Sequence, residues 1–219
     1  MSTIDYELSI VLPTYNEMEN VLQLIPRLSE IFKEVSHEII VVDDRSTDGT
    51  PEAVLQLAKA GHSVRLVSKE KREGIGAALR VGYDQSTASF IASMDADLSF
   101  KPEDLKVMYQ KIQASGSGLI VGNRHSKQSF YEAPKPAIRI KRWISANGNW
   151  FLRTITRIPL GDFSANFRVS RKETWQKIET KEKTNMILFE MILKTWVTGF
   201  QVDQVAVSFL DRRFGKSKL

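Results

Sequence analysis

The feature that most constrains this chain is a repeated change of hydrophobic period. Short apolar runs that read as buried strands give way, through polar or glycine-bearing turns, to patterns with a helical period. Leu8 to Leu12 breaks at Pro13-Thr14-Tyr15-Asn16-Glu17 before apolar positions at Val21, Leu24, Ile25, Leu28, Ile31 and Phe32. Glu38 to Val42 ends in Asp43-Asp44, and Thr50-Pro51 is a good start for the next helix. Val64 to Val67 leads through the basic loop Lys69 to Gly74 into a helix around Ala77 to Tyr83. Phe90 to Met94, a helix from Leu105 to Ile112, and the strand Leu119 to Gly122 complete the series. Strands alternating with helices call for right-handed crossovers, hence an α/β fold with a mainly parallel central sheet flanked by helices.

Polar residues collect where these strands end: Tyr15 and Glu17, Asp43 and Asp44, Asp95 and Asp97, Asn123 and Arg124. Loops that follow the strands of one parallel sheet share a rim, so these sets can converge on a single ligand. The run Phe90-Ile-Ala-Ser-Met-Asp95-Ala-Asp97-Leu-Ser99 is the most telling. A strand buried on both faces has no place for carboxylates, so Asp95 and Asp97 sit just past its end. Two acids this close repel unless a cation lies between them, which points to Mg2+ or Mn2+ carrying the oxygens of a nucleotide diphosphate. The competing reading is structural: Ser99 capping the helix that begins at Lys101-Pro102. Gly74-Ile75-Gly76-Ala77-Ala78-Leu79 imitates a dinucleotide fingerprint, but it follows the third strand and has Leu79 where a third glycine belongs. Tight turn and helix packing account for those glycines.

Of 219 residues, 42% are hydrophobic and 26% charged, an ordinary globular balance that suits a single domain. No apolar run approaches the roughly 20 residues that span a bilayer, and the first residues lack a signal-peptide profile. A chain without cysteine has neither disulfides nor thiol chemistry, and His37, His62 and His125 form no chelating pattern. The net charge of +5 is localised: residues 124–157 hold eight Lys or Arg against the lone acid Glu132. Within that stretch, residues 138–157 mix cations with Trp143, Trp150, Phe151 and several isoleucines. Such a helix suits a membrane surface or a phosphorylated lipid, or else a core-packing helix with a solvated cationic face. Beyond it lie Asp162 to Arg168, Val169-Ser170, a helix near Ile187 to Trp196, and a strand from Val202 to Phe209.

V-L-P-T-Y-N-E (11–17), V-V-D-D-x-S-x-D-G-T (41–50), D-A-D-L-S (95–99), G-N-R (122–124), D-x-x-x-x-F-R (162–168) and F-L-D-R-x-x-G-x-S-K-L (209–219) resemble the GT-A glycosyltransferases of family 2. Within that family the motifs are most similar to the dolichyl-phosphate mannose synthases and related polyprenyl-phosphate glycosyltransferases. The resemblance implies a GT-A fold in which residues 1–124 bind nucleotide and residues 125–219 bind acceptor. It implies that Pro13, Tyr15, Glu17, Asp44, Asp95, Ala96, Asp97, Arg212 and Lys218 hold the nucleotide sugar, with Asp95, Asp97 and Ser99 at the metal. It further implies that Asp95, Asp97, Arg124 and Arg212 serve catalysis, and that Arg124 and Arg142 meet the acceptor phosphate. Two departures stand out. Ala146 occupies a position where relatives carry serine, with Ser145 one step away, and the family's G-S-R-Y is G-N-R-H here, ending in His125.

The chemistry separates two acceptors. A hydroxyl needs a general base, whereas a phosphate monoester, with a second pKa of about 6, arrives ionised and needs only cations. Asp162 is the only acid between Glu132 and Glu173, so a saccharide-hydroxyl acceptor would rely on it. The expectation is inverting transfer of a hexose to a polyprenyl phosphate by an enzyme peripheral on the cytoplasmic face of a membrane. GDP-mannose is the favoured donor and a UDP-sugar the other. A nucleic-acid-binding module would explain the basic segment, but it has no use for Asp95 and Asp97, and nucleic acid is not expected as a partner.

Overall fold

The computed structural model describes residues 5–130 and 136–210, with the side chains of residues 136–142 left out. The elements run β1 (Leu8–Thr14), α1 (Met18–Ile31), β2 (His37–Asp43), α2 (Thr50–Lys59), β3 (Val64–Ser68), α3 (Ile75–Gln85), β4 (Phe90–Met94), α4 (Pro102–Ala114) and β5 (Ser117–Asn123). They continue with α5 (Pro136–Thr156), β6 (Phe167–Arg171), α6 (Lys172–Ile178), α7 (Ile187–Val197) and β7 (Gln201–Ala206). One seven-stranded sheet, ordered β3-β2-β1-β4-β6-β5-β7, draws on both halves of the chain. All pairings are parallel except those of β6, which lies antiparallel between β4 and β5.

Alternation along β1 shows why both faces are covered. Leu8, Ile10 and Leu12 join Val21, Leu24 and Leu28 of α1 and Leu105 and Met108 of α4 in one buried cluster. Val11 faces the other way, into Leu79 and Tyr83 of α3, Trp175 of α6 and Ile187 of α7. A third cluster joins Leu119 and Val121 of β5 to Ile158, Phe163 and Ile192, with Leu152 of α5 packed against it.

Two sequence readings need correction, and one stretch without an assignment gains one. Ser99 caps no helix: the residue before α4 is Lys101, and no side chain caps it. The last strand stops at Ala206, and Phe209 instead meets Phe100 in an isolated antiparallel bridge. Val169-Ser170 belongs to a five-residue strand, β6, whose Phe167, Arg168, Val169 and Ser170 are all buried. The glycines of the false fingerprint behave as expected: Gly74 has φ +89°, and a Cβ on Gly76 would lie 2.1 Å from the Thr184 carbonyl oxygen.

Candidate functional site

The loops after β1, β2, β4 and β5 meet over a cleft of about 410 Å³. Pro13, Tyr15, Glu17, Asp44, Asp95, Ala96, Asp97 and Arg124 all line it. A slightly larger hollow beneath α6, about 460 Å³ and lined by Arg80, Lys172 and Trp175, collects none of these loops. The rim location therefore identifies the candidate site.

At the β1 and β2 ends, two loops are stitched together. Asn16 N–H donates to Ser46 Oγ at 2.7 Å, Thr47 N–H to Asn16 Oδ1 at 2.8 Å, and Glu17 N–H to Thr50 Oγ1 at 2.9 Å. Three non-glycine residues of these strand-end loops, Asn16 (φ 55°), Arg45 (φ 71°) and Leu98 (φ 60°), adopt the left-handed region. For a bulky residue such as Leu98 that conformation is costly, and such strain concentrates where surrounding contacts hold functional backbone in place.

Asp44 is more tightly engaged than its sequence role suggested. It accepts from Lys69 Nζ at 2.8 Å, Glu73 N–H at 3.0 Å and Gly74 N–H at 2.7 Å. Burial pushes its carboxyl up, but the Lys69 ammonium and the two N–H groups outweigh this and hold it below the ordinary value. Asp44 thus anchors the β3–α3 loop over the cleft. That loop carries Arg72, whose guanidinium carbon lies 3.8 Å from the centre of the Tyr15 ring. The sequence marked the loop only as basic, since nothing local says that Arg72 reaches Tyr15.

At the β4 end, Asp97 accepts from the Ser99 N–H at 3.1 Å, and Asp95 accepts from Asn166 Nδ2 at 2.8 Å. Ser99 is 1% exposed and does not line the cleft; its N–H donates to Asp97, and its buried hydroxyl has no hydrogen-bond partner among the described residues. Among the described residues no three His, Asp or Glu side chains gather as a metal cage. Two carboxylates facing a cleft nonetheless fit Mg2+ or Mn2+, which take one or two protein carboxylates and fill the remaining positions with substrate phosphates and water.

At the β5 end, Arg124 donates to Asp162 through Nε at 2.7 Å and Nη2 at 3.1 Å, and to Ser164 Oγ at 2.9 Å. Burial pushes the Asp162 carboxyl up, but Arg124, His125 and the Ser164 N–H reverse the balance and hold it below the usual carboxylate range. His125 Nε2 lies 3.3 Å from Ser145 Oγ, so the departing histidine of G-N-R-H ties the β5 end to α5. Arg168 is fully buried and donates to the carbonyls of Ala165, Leu188 and Phe163, securing the loop that carries Asp162. Burial lowers its pKa to about 10, which leaves it charged at neutral pH. The side chain of Arg142, and all of Arg212 and Lys218, lie outside the described residues.

On α5 several large apolar side chains face outward, although Leu152 packs inward. Trp143, Ile144, Trp150, Phe151 and Ile155 are 57–69% exposed, while Asn149 on the other side is buried. Core packing therefore accounts for only one side of this helix. No helix among the described residues is long and apolar enough to cross a membrane.

The model of "Glycosyl transferase family 2" matches residues 9–186. Polyprenol monophosphomannose synthase of Mycolicibacterium smegmatis is 30% identical, over 96% of this chain and 80% of that protein. Dolichol-phosphate mannosyltransferase of Pyrococcus furiosus is 30% identical over 97% of this chain. Dodecaprenyl-phosphate galacturonate synthase of Rhizobium johnstonii is 27% identical, again over 97%. The chain spans 59% and 61% of the length of the latter two. Glucosyl-3-phosphoglycerate synthase of Mycobacterium tuberculosis, crystallised with Mn2+, UDP and phosphoglyceric acid, superposes with a TM-score of 0.74 at 18% identity. The match covers 96% of this chain and 72% of that one. The chain is a GT-A protein and belongs to glycosyl transferase family 2.

Proposed function

We propose that this protein transfers a hexose, with inversion, from a nucleotide-diphosphate sugar to a polyprenyl phosphate at the cytoplasmic face of a membrane. The observation that carries the reading is the state of Asp162. It is 1% exposed, does not line the cleft, and has both oxygens engaged by Arg124. A carboxyl whose pKa is held low is a poor proton acceptor, which argues against a saccharide hydroxyl activated by Asp162. The same arrangement turns Arg124 into an oriented cation lining the cleft, suited to an acceptor that is already a dianion.

In this mechanism Tyr15, Glu17 and the Asp44-anchored loop receive the nucleoside, with Pro13 and Ala96 shaping the cleft. Asp95 and Asp97 would hold Mg2+ or Mn2+, which when bound neutralises charge on the departing diphosphate. Arg124, joined by Arg142, steers the acceptor phosphate toward the anomeric carbon; Arg212 and Lys218 serve the donor phosphates. A phosphate oxygen forms the new bond to that carbon as the bond to the nucleoside diphosphate breaks, and no proton need move. The names of the three relatives agree on a lipid phosphate; two name mannose and the third galacturonate. GDP-mannose remains the favoured donor, with UDP-sugars as competitors. The single sheet supports one domain, with residues 1–124 serving the nucleotide and 125–219 the acceptor. The outward aromatic face of α5 supports peripheral membrane contact.

The direct test offers radiolabelled GDP-mannose, UDP-glucose and a UDP-N-acetylhexosamine with a short polyprenyl phosphate and Mn2+. Transfer of label into the lipid phase is expected with one donor. Transfer to a free sugar or glycan, and to no lipid phosphate, would overturn the proposal.

A further inference from the structure

We infer that Asn166 is a positioning residue for Asp95, the last link in a buried, one-way chain of hydrogen-bond donors that fixes the cleft carboxylate. The inference rests on the proposed role of Asp95 in metal and diphosphate binding and names the group that sets it.

The geometry begins with strand register. β6 runs antiparallel to β4 with Phe167 opposite Met94, so the next residues outward, Asn166 and Asp95, face each other just past the sheet. Asn166 Nδ2 donates to Asp95 Oδ1 at 2.8 Å, Ser93 Oγ donates to Asn166 Oδ1 at 2.8 Å, and Tyr83 Oη donates to Ser93 Oγ at 3.1 Å. All three supporting groups are buried, at 3% exposure for Asn166 and 1% for Ser93 and Tyr83.

The direction of the chain follows from the valence of its ends. An ionised carboxylate only accepts, so the Asn166 amide turns its NH2 to Asp95 and its carbonyl to Ser93. Ser93 then spends its proton on that carbonyl and accepts the phenol proton of Tyr83. Burial raises the Tyr83 pKa, which keeps it a donor at neutral pH. Tyr83 is itself fixed, its ring 4.7 Å from that of Trp175. Asn166 and Ser93 each donate once and accept once along the chain, so Asp95 Oδ1 is engaged from a pre-set direction before any ligand enters. Partners that orient a metal-binding carboxylate typically contribute about 10–100-fold to metal affinity.

The test measures binding, not turnover. Affinity for GDP and UDP is determined by calorimetry with and without Mn2+ for wild type, Asn166→Ala, Asn166→Leu, Tyr83→Phe and, as reference, Asp95→Asn. Asn166→Leu keeps the volume while removing both polar atoms, so the comparison survives if the alanine variant folds poorly. Both Asn166 variants are expected to lose about 10-fold or more of the Mn2+-dependent affinity, with metal-free nucleotide affinity unchanged; Tyr83→Phe loses less. A role in packing alone would lower Tm without this split. Wild-type Mn2+-dependent affinity in Asn166→Leu, alongside its loss in Asp95→Asn, overturns the inference and leaves the proposed site intact. Retention of that affinity in Asp95→Asn as well would instead overturn the site reading.

Discussion

Replacing Asp162 with Asn is the sharpest perturbation of the proposed chemistry, because Asp162 either takes a proton or holds an arginine. Its side chain is 0% exposed against 16% for that of Arg124, and the pair is bidentate. Removing one member of a buried pair strands the other's charge, at a cost of about 3–5 kcal/mol. Arg124 keeps Ser164 and some solvent, so the lower end applies: about 3 kcal/mol, or a fall in Tm of roughly 6–12 °C for a chain this size. Turnover falls under either role, so rate alone does not separate them. A double-mutant cycle with Asp162→Asn, Arg124→Gln and the combination does. If Asp162 acts through Arg124, the double variant is no slower than Arg124→Gln, and the coupling is about 1–3 kcal/mol. Additive losses, with Asp162→Asn melting like wild type, would refute the positioning role and restore the saccharide-hydroxyl acceptor.

The same residue fixes a pH dependence. Asp162 has a folded pKa below its unfolded value, so its stabilisation is present above about pH 4 and lost as pH falls through the folded value. The gap in Tm between wild type and Asp162→Asn should hold from about pH 5 to 8 and close below about pH 4. A gap that widens on acidification would reverse the sign of the argument.

Lys69→Met leaves Asp44 with its two backbone donors but no ammonium, so the Asp44 pKa should rise and nucleoside diphosphate affinity should drop about tenfold, or roughly 1.4 kcal/mol, by calorimetry. Gly76→Ala drives a Cβ to 2.1 Å from Thr184 O and 2.5 Å from Lys183 O, backbone atoms that cannot swing aside. A loss of about 1–3 kcal/mol in urea unfolding is expected, and unchanged stability would show that the α3 contact is looser than described. Trp143→Ser with Trp150→Ser removes two side chains that are 69% and 67% exposed. At roughly 1–2 kcal/mol each, partition onto anionic vesicles should fall about 30-fold or more while melting stays unchanged. Equal partition would remove α5 as the membrane contact.

The first five strands were legible because each is a short apolar run bounded by turn residues, the pattern that burial on both faces imposes. The convergence of their ends was legible for the same reason, since parallel strands share a rim. β6 was nearly invisible: Phe-Arg-Val-Ser-Arg reads as polar, yet its Arg168 is buried because three backbone carbonyls receive its guanidinium. Side chains satisfied by distant backbone leave no local pattern to read. The charged segment Lys172–Ile178 gave no helical signal for α6 on the same grounds. Arg72 on Tyr15 and Asn166 on Asp95 span 57 and 71 residues of sequence, and neither pairing follows from spacing. Ser99 misled as a cap: a serine after D-x-D and before Lys-Pro resembles one, but its N–H turns back to Asp97 and its carbonyl accepts from the Leu210 N–H.

The strand that local pattern conveys least is the one that joins the two halves of the site. A parallel strand in its place would bring its C-terminal end to the rim; the antiparallel β6 brings its N-terminal end, and with it the loop from Asp162 to Asn166. Register against β4 sets Asn166 beside Asp95, and pairing of Val121 with Arg168 on the other flank brings the same loop to Arg124. One short loop therefore holds Asp95, proposed to serve the donor, and Arg124, proposed to meet the acceptor, in fixed relation. The separation of those two groups governs whether an acceptor oxygen can reach an anomeric carbon at all. In the proposed reaction, which needs no base, most of what the protein would supply is position and opposite charge, and this sheet order offers both from a single reversal of strand direction.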